Sequence, residues 1–93
     1  MIRVDNRTEE QKLTHTWLVV GTDQLLSNWG QSSGGLSYAA WACRPDCLEE
    51  CLEWVEGRGD MRRIRVVVDR KGDRYAARGA AHLHIYVFEP KSR

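Results

Sequence analysis

His82 and His84 stand two residues apart in the β-rich run 82–88, so on a strand their imidazoles share one face. Two imidazoles on one face can ligate a transition metal. Cys47 and Cys51, one helical turn apart, are further candidate ligands, and Cys43 precedes them at the same interval. Their C-x3-C-x3-C spacing lacks the C-x2-C knuckle common to zinc sites. Cys47 and Cys51 also fall on an apolar helical stripe, where a thiol packs as a small hydrophobe. The expectation is therefore no bound metal and no cofactor. No H-E-x-x-H or G-x-x-x-x-G-K-[ST] pattern occurs; Gly30-Gln31-Ser32-Ser33-Gly34 has G-x-S-x-G spacing but precedes a strand rather than a helix, and the spacing assembles no nucleophile–base pair. Gly30, Gly34 and Gly35 precede a strand rather than a helix, so they read as loop glycines and not as a phosphate cradle. The chain is read as non-enzymatic.

Charge is sorted along the sequence. Residues 1–56 hold 4 bases and 9 acids, and residues 57–93 hold 10 bases and 4 acids, which the net charge of +1 conceals. Such segregation gives an acidic face and a basic face, and with them the means to bind something charged. The acidic row is Asp46, Glu49, Glu50, Glu53 and Glu56. It can act as a solvated face or occupy a basic groove on a partner. Trp54 lies at its border and offers an aromatic anchor, a residue type enriched at interface hot spots. Trp29, in the glycine-rich stretch, is the second candidate contact.

The basic half offers an alternative. Arg63, Arg65, His82, His84 and Tyr86 could line one open sheet face, and Arg, His and Tyr on a sheet can stack and pair with single-stranded nucleic acid. The glycine–aromatic signature of such platforms is missing. A further alternative is a small-ligand binder or enzyme built from the loop 23–35 with His82 and His84.

Elements must place these residues. Residues 1–14 are polar and weakly periodic, and read as a loose N-terminal arm in which Ile2 and Val4 hint at an added strand. Residues 15–93 then make a single α+β domain. Strands are expected over 15–22, 36–43, 61–69 and 82–88. Pro45 suits the first position of a helix whose stripe is Leu48, Cys51, Leu52 and Val55, with Gly57 and Gly59 as the stop. Ile64, Val66 and Val68 fall on one side of their strand, and Arg63, Arg65 and Val67 on the other. The fold class expected is α+β, a small antiparallel or mixed sheet of about four strands with one main helix on one face. The other face is expected to stay partly open.

At 93 residues the chain makes one small core. No apolar run approaches the roughly 20 residues that span a bilayer. The polar start lacks a signal core, and an odd cysteine count is a poor disulfide framework. A cytoplasmic setting without membrane contact is expected.

Trp17-Leu18-Val19-Val20, Thr22-Asp23, Leu26-Ser27-Asn28-Trp29-Gly30, Gly34 and Arg58-Gly59-Asp60-Met61 together resemble a group of small uncharacterised proteins encoded on bacterial phages, plasmids and integrative elements. The resemblance covers residues 16–68 and carries over no functional residues. It implies a mobile-element setting in a bacterial host cytoplasm. Small proteins of that setting often bind host defence machinery, as anti-CRISPR proteins do. The resulting expectation is a protein that inhibits a host protein or ribonucleoprotein complex through charged surfaces.

Overall fold

The computed structural model describes residues 2–23, 36–69 and 80–90. In chain order these form β1 (Ile2–Asp5), α1 (Glu9–Thr14), β2 (Trp17–Asp23), β3 (Leu36–Cys43), a 3-10 turn (Pro45–Cys47), α2 (Leu48–Arg58), β4 (Met61–Val68) and β5 (Ala80–Val87). The strands make one mixed sheet in the order β1-β5-β3-β2-β4. β5 runs parallel to both β1 and β3, while β2 is antiparallel to β3 and β4. The α+β class thus holds, with five strands rather than about four. The additional strand is β1, from the stretch expected to be a loose arm. That stretch also contributes α1, where the Thr8 hydroxyl accepts from the Gln11 amide and the Gln11 side chain accepts from the Thr8 amide.

Alternation in the strands divides the core in two. Val19, Ala39, Trp41 and Cys43 face α2 and pack on Cys51 and Val55. Leu18, Val20, Ala40, Ala42, Leu83 and Ile85 form the second buried cluster, on the opposite face. This second face was expected to be partly open, yet each of those six residues is at most 1% exposed. Curvature accounts for the difference. Arg3 lies on the side of Leu83, with which it is paired, and Asp69 follows Val68 onto the side of Val67. Arg3 and Asp69 meet at 3.1 Å, although β1 and β4 are the outermost strands. In a flat sheet those strands would stand about 19 Å apart, four spacings of roughly 4.8 Å. The sheet therefore curls about the second cluster like a partly closed barrel, and the ion pair bridges its edges.

Arg7 completes the bridge. Its guanidinium is 2% exposed and bonds Asp5 at 2.7 Å, Asp69 at 2.5 Å and the His15 carbonyl at 2.8 Å. Burial works against the Asp5 charge, but the hydrogen bonds and charge of Arg7 outweigh it and hold that carboxyl below its ordinary value.

Two glycines have backbone reasons. Gly59 ends α2 at φ 79°, a left-handed conformation that costs glycine little. Gly57, expected to share in the stop, lies inside α2. A Cβ at Gly21 would meet the Met61 Cβ at 3.0 Å, so β4 approaches β2 closely there. The register moves at the same place: Val20 pairs with Arg65 and Thr22 with Arg62. Arg63 and Ile64 thus oppose Gly21 together as a bulge, and Arg63 takes φ 51°.

Candidate functional site

α2 sorts its residues by helical spacing. Leu48, Cys51, Leu52 and Val55 make the stripe against the sheet, where Cys51 and Val55 are buried and the two leucines half-buried. Glu50, Glu53, Trp54 and Gly57 recur at i, i+3, i+4 and i+7, so they form a second stripe beside the first. Glu49 and Glu56 lie farther round, and Asp46 sits in the 3-10 turn. The acidic row is thereby divided. Glu50, Glu53 and Trp54 come together on a groove, while Asp46, Glu49 and Glu56 are exposed elsewhere. Trp29, the other candidate contact, and most of the loop 23–35 lie outside the described residues.

The groove has a volume of about 720 Å³, with Trp41, Trp54 and Phe88 as aromatic lining and Glu50, Glu53 and Glu89 as acidic lining. It exists because one helix does not span five strands. α2 packs on β2, β3 and β4 and leaves the same face of β5 beside it. Trp41 on β3 pairs in register with Tyr86 on β5, and their rings stack at 5.7 Å. Trp54 packs edge-on to Trp41 at 5.7 Å and meets Phe88 at 5.6 Å. Trp54 nevertheless stays 45% exposed and Tyr86 42%. The bare part of the sheet is thus on the helix side, not on the opposite face.

One cation already sits in this cluster. The Arg58 guanidinium lies 4.8 Å from the Trp41 ring centroid and 5.1 Å from that of Trp54, and it also pairs with Asp60 at 2.8 Å. Arg58 lines a smaller cavity of about 350 Å³ on the Ala39, Met61 and Tyr86 side of Trp41. Glu89 is held by Arg44 at 3.3 Å and by His15. Glu50 and Glu53 form no ion pair among the described residues.

The candidates for nucleic-acid contact are not brought together. Arg65 pairs with Val20 and shares the concave face. His84 and Tyr86 pair with Ala39 and Trp41 and share the helix face, and His82, two residues before His84 on β5, lies on that same face. Strand order adds distance, since β3 and β2 stand between β5 and β4. The bulge takes Arg63 out of strict alternation. The single platform of Arg63, Arg65, His82, His84 and Tyr86 therefore does not form, because consecutive strands β4 and β5 are not neighbours.

The cysteines are free and buried. Among the described residues no group of three or more His, Cys, Asp or Glu side chains is arranged to hold a metal ion. The Cys51 thiol donates to the Trp41 carbonyl at 3.9 Å and lies beside Cys43 at the helix–sheet interface. The neighbouring Cys43 sulfur and burial push the Cys51 thiol far up, while the neighbouring Cys51 thiol lowers Cys43. Burial and the nearby Asp46 charge push the Cys47 thiol up. No described helix is long and apolar enough to cross a membrane.

No protein-family model matches this sequence, and no curated protein or solved structure matches it. Sequence reasoning found the acidic wall of the groove and Trp54 but missed Trp41 and Phe88. The signal for Trp41 was its position on a strand one residue from the buried Ala40 and Ala42, facing the helix side. Phe88 becomes legible only once β5 is placed beside β3.

Proposed function

We propose that this chain is a non-enzymatic binding protein that docks on a positively charged surface of a partner protein through the groove beside α2. The observation that carries this reading is a half-exposed Trp54 standing between an aromatic floor and two glutamates that form no ion pair among the described residues. Exposed aromatic surface of this kind is costly to leave in water and is a frequent interface anchor. The carboxylates select a cationic partner and repel nucleic acid phosphates. The narrower setting, inhibition of a host defence complex in a bacterial cytoplasm by a mobile-element protein, rests on the resemblance of residues 16–68 alone.

The test compares variants in capture from nuclease-treated bacterial lysate. Replacement of both Glu50 and Glu53 by Lys is expected to abolish recovery of the partner, because a basic surface then meets like charge. The matched pair Glu49→Lys and Glu56→Lys, off the groove, is expected to retain it. Loss of the partner in the second pair with retention in the first would overturn the groove as the contact. Salt-sensitive binding of single-stranded RNA by the purified chain, lost on Arg62→Glu with Arg65→Glu, would point instead to the basic strand.

A further inference from the structure

We infer that the groove is a receptor for a guanidinium, and that the partner engages it with an arginine side chain rather than a lysine. This rests on the binding reading above and specifies its ligand. The chain itself supplies the first argument. Arg58 seats its guanidinium over both Trp41 and Trp54, so the indole cluster already accommodates this group from one side. The larger groove offers similar chemistry beyond Trp54, with Phe88 added to the aromatic lining.

Charge complementarity supplies the second argument. Glu50 and Glu53 are one helical turn apart on the stripe that carries Trp54. A planar cation lying on the rings can turn its N–H edge toward those carboxylates. Guanidinium suits this better than ammonium. It is weakly hydrated, stacks on aromatic faces, and presents donors in a plane, whereas ammonium is a compact and strongly hydrated point charge. Glu89 already accepts from Arg44 and does not enter the argument as a free acceptor. The groove is open, so a side chain from a folded partner can enter without rearrangement of α2.

The inference is tested without the partner. The probe is N-acetyl-arginine amide, with the lysine and citrulline counterparts as controls, titrated against the intact chain. The readouts are tryptophan fluorescence and the indole N–H resonance of Trp54. Saturable binding with a Kd of about 1 mM is expected for the arginine probe, the scale for a ligand of this size. The lysine probe should bind at least about fivefold more weakly, and neutral citrulline should not saturate. Glu50→Gln with Glu53→Gln should weaken the arginine probe roughly tenfold, and Glu49→Gln with Glu56→Gln less than about twofold. These are exposed helix positions, so folding is not at stake. Equal binding of lysine and arginine, saturable binding of citrulline, or indifference to the Glu50 and Glu53 changes would overturn the inference. Failure here with the partner still lost on charge reversal removes the guanidinium and leaves the docking surface. Failure of both removes the groove.

Discussion

Arg3 and Asp69 form an ion pair at 3.1 Å from opposite edges of a five-stranded sheet. Arg7 shares Asp69 with Arg3 and holds Asp5 at 2.7 Å, which Arg3 reaches only at 3.9 Å, so the two arginines do not carry equal weight. Arg7 is buried and has three partners, whereas the Arg3 side chain is about a third exposed. Arg7→Met leaves two carboxylates without their buried cation and should cost roughly 3–5 kcal/mol. Arg3→Ala should cost less than about 1 kcal/mol. Urea melts compare them directly, and equal losses would show that Arg7 is not the clasp of the barrel.

The clasp also predicts the acid limb of stability. The Asp5 carboxyl titrates below its ordinary value of 3.8 in the folded chain. The unfolded chain thus takes up its proton first as pH falls. The stabilisation is complete well above 3.8, begins to be lost near that value, and disappears as pH drops through the lower folded value. Asp5→Asn should be less stable at neutral pH and should flatten this acid limb. A mutant curve parallel to the parent between pH 2 and 5 would remove Asp5 as its source.

The stripes on α2 should separate stability from binding. Val55 is fully buried, and Val55→Ala should cost about 1–3 kcal/mol. Leu52 is only half-buried, so Leu52→Ala should fall toward the lower end of the 2–5 kcal/mol expected of a core leucine. Glu49→Ala should change stability by less than about half a kcal/mol. Denaturant midpoints check the order Val55 and Leu52 above Glu49, and a cost for Glu49 matching that of Val55 would invalidate the assigned helix face.

Cys43, Cys47 and Cys51 should resist modification in the native chain. All three are buried, and the neighbouring Cys43 sulfur and burial push the Cys51 thiol up, against the thiolate. A thiol-exchange reagent at pH 8 should titrate all of them at once in urea, but only slowly in buffer, at the pace of chain opening. Stoichiometric reaction of one thiol on mixing in buffer would show that the helix–sheet interface is not closed as described.

The elements with clear periodicity were legible from sequence. The apolar stripe of α2 and the β-rich runs of β2, β3 and β5 were read close to their limits because local pattern and burial agree. β1 was legible only as a hint, from Ile2 and Val4. It has four residues, and its partner in the Ile2–His82 pairing lies 80 residues away. The six-residue α1 buries nothing, so it has no apolar stripe, and only its capping pair, Thr8 and Gln11, marks it. The acidic wall of the groove was readable from composition. Its aromatic floor was not, because Trp41, Tyr86 and Phe88 converge only through parallel pairing of β3 with β5. The same pairing separates His84 from Arg65, which simple alternation had placed on one surface.

The pairing of β1 with β5 also sets a sequence of events for folding. β1 gains its hydrogen bonds only after the chain from His82 to Ile85 has been laid beside it. Until then the salt clasp lacks Arg3 and Asp5, and the concave cluster lacks Leu83 and Ile85. On a ribosome the first strand must wait for nearly the last, while β2, β3, α2 and β4 can associate earlier. Topologies dominated by such distant pairings close slowly and leave edges uncovered while they wait. Closure of the barrel therefore depends on a pairing between distant segments, Ile2–Asp5 with His82–Ile85, rather than on the continuation of a hairpin.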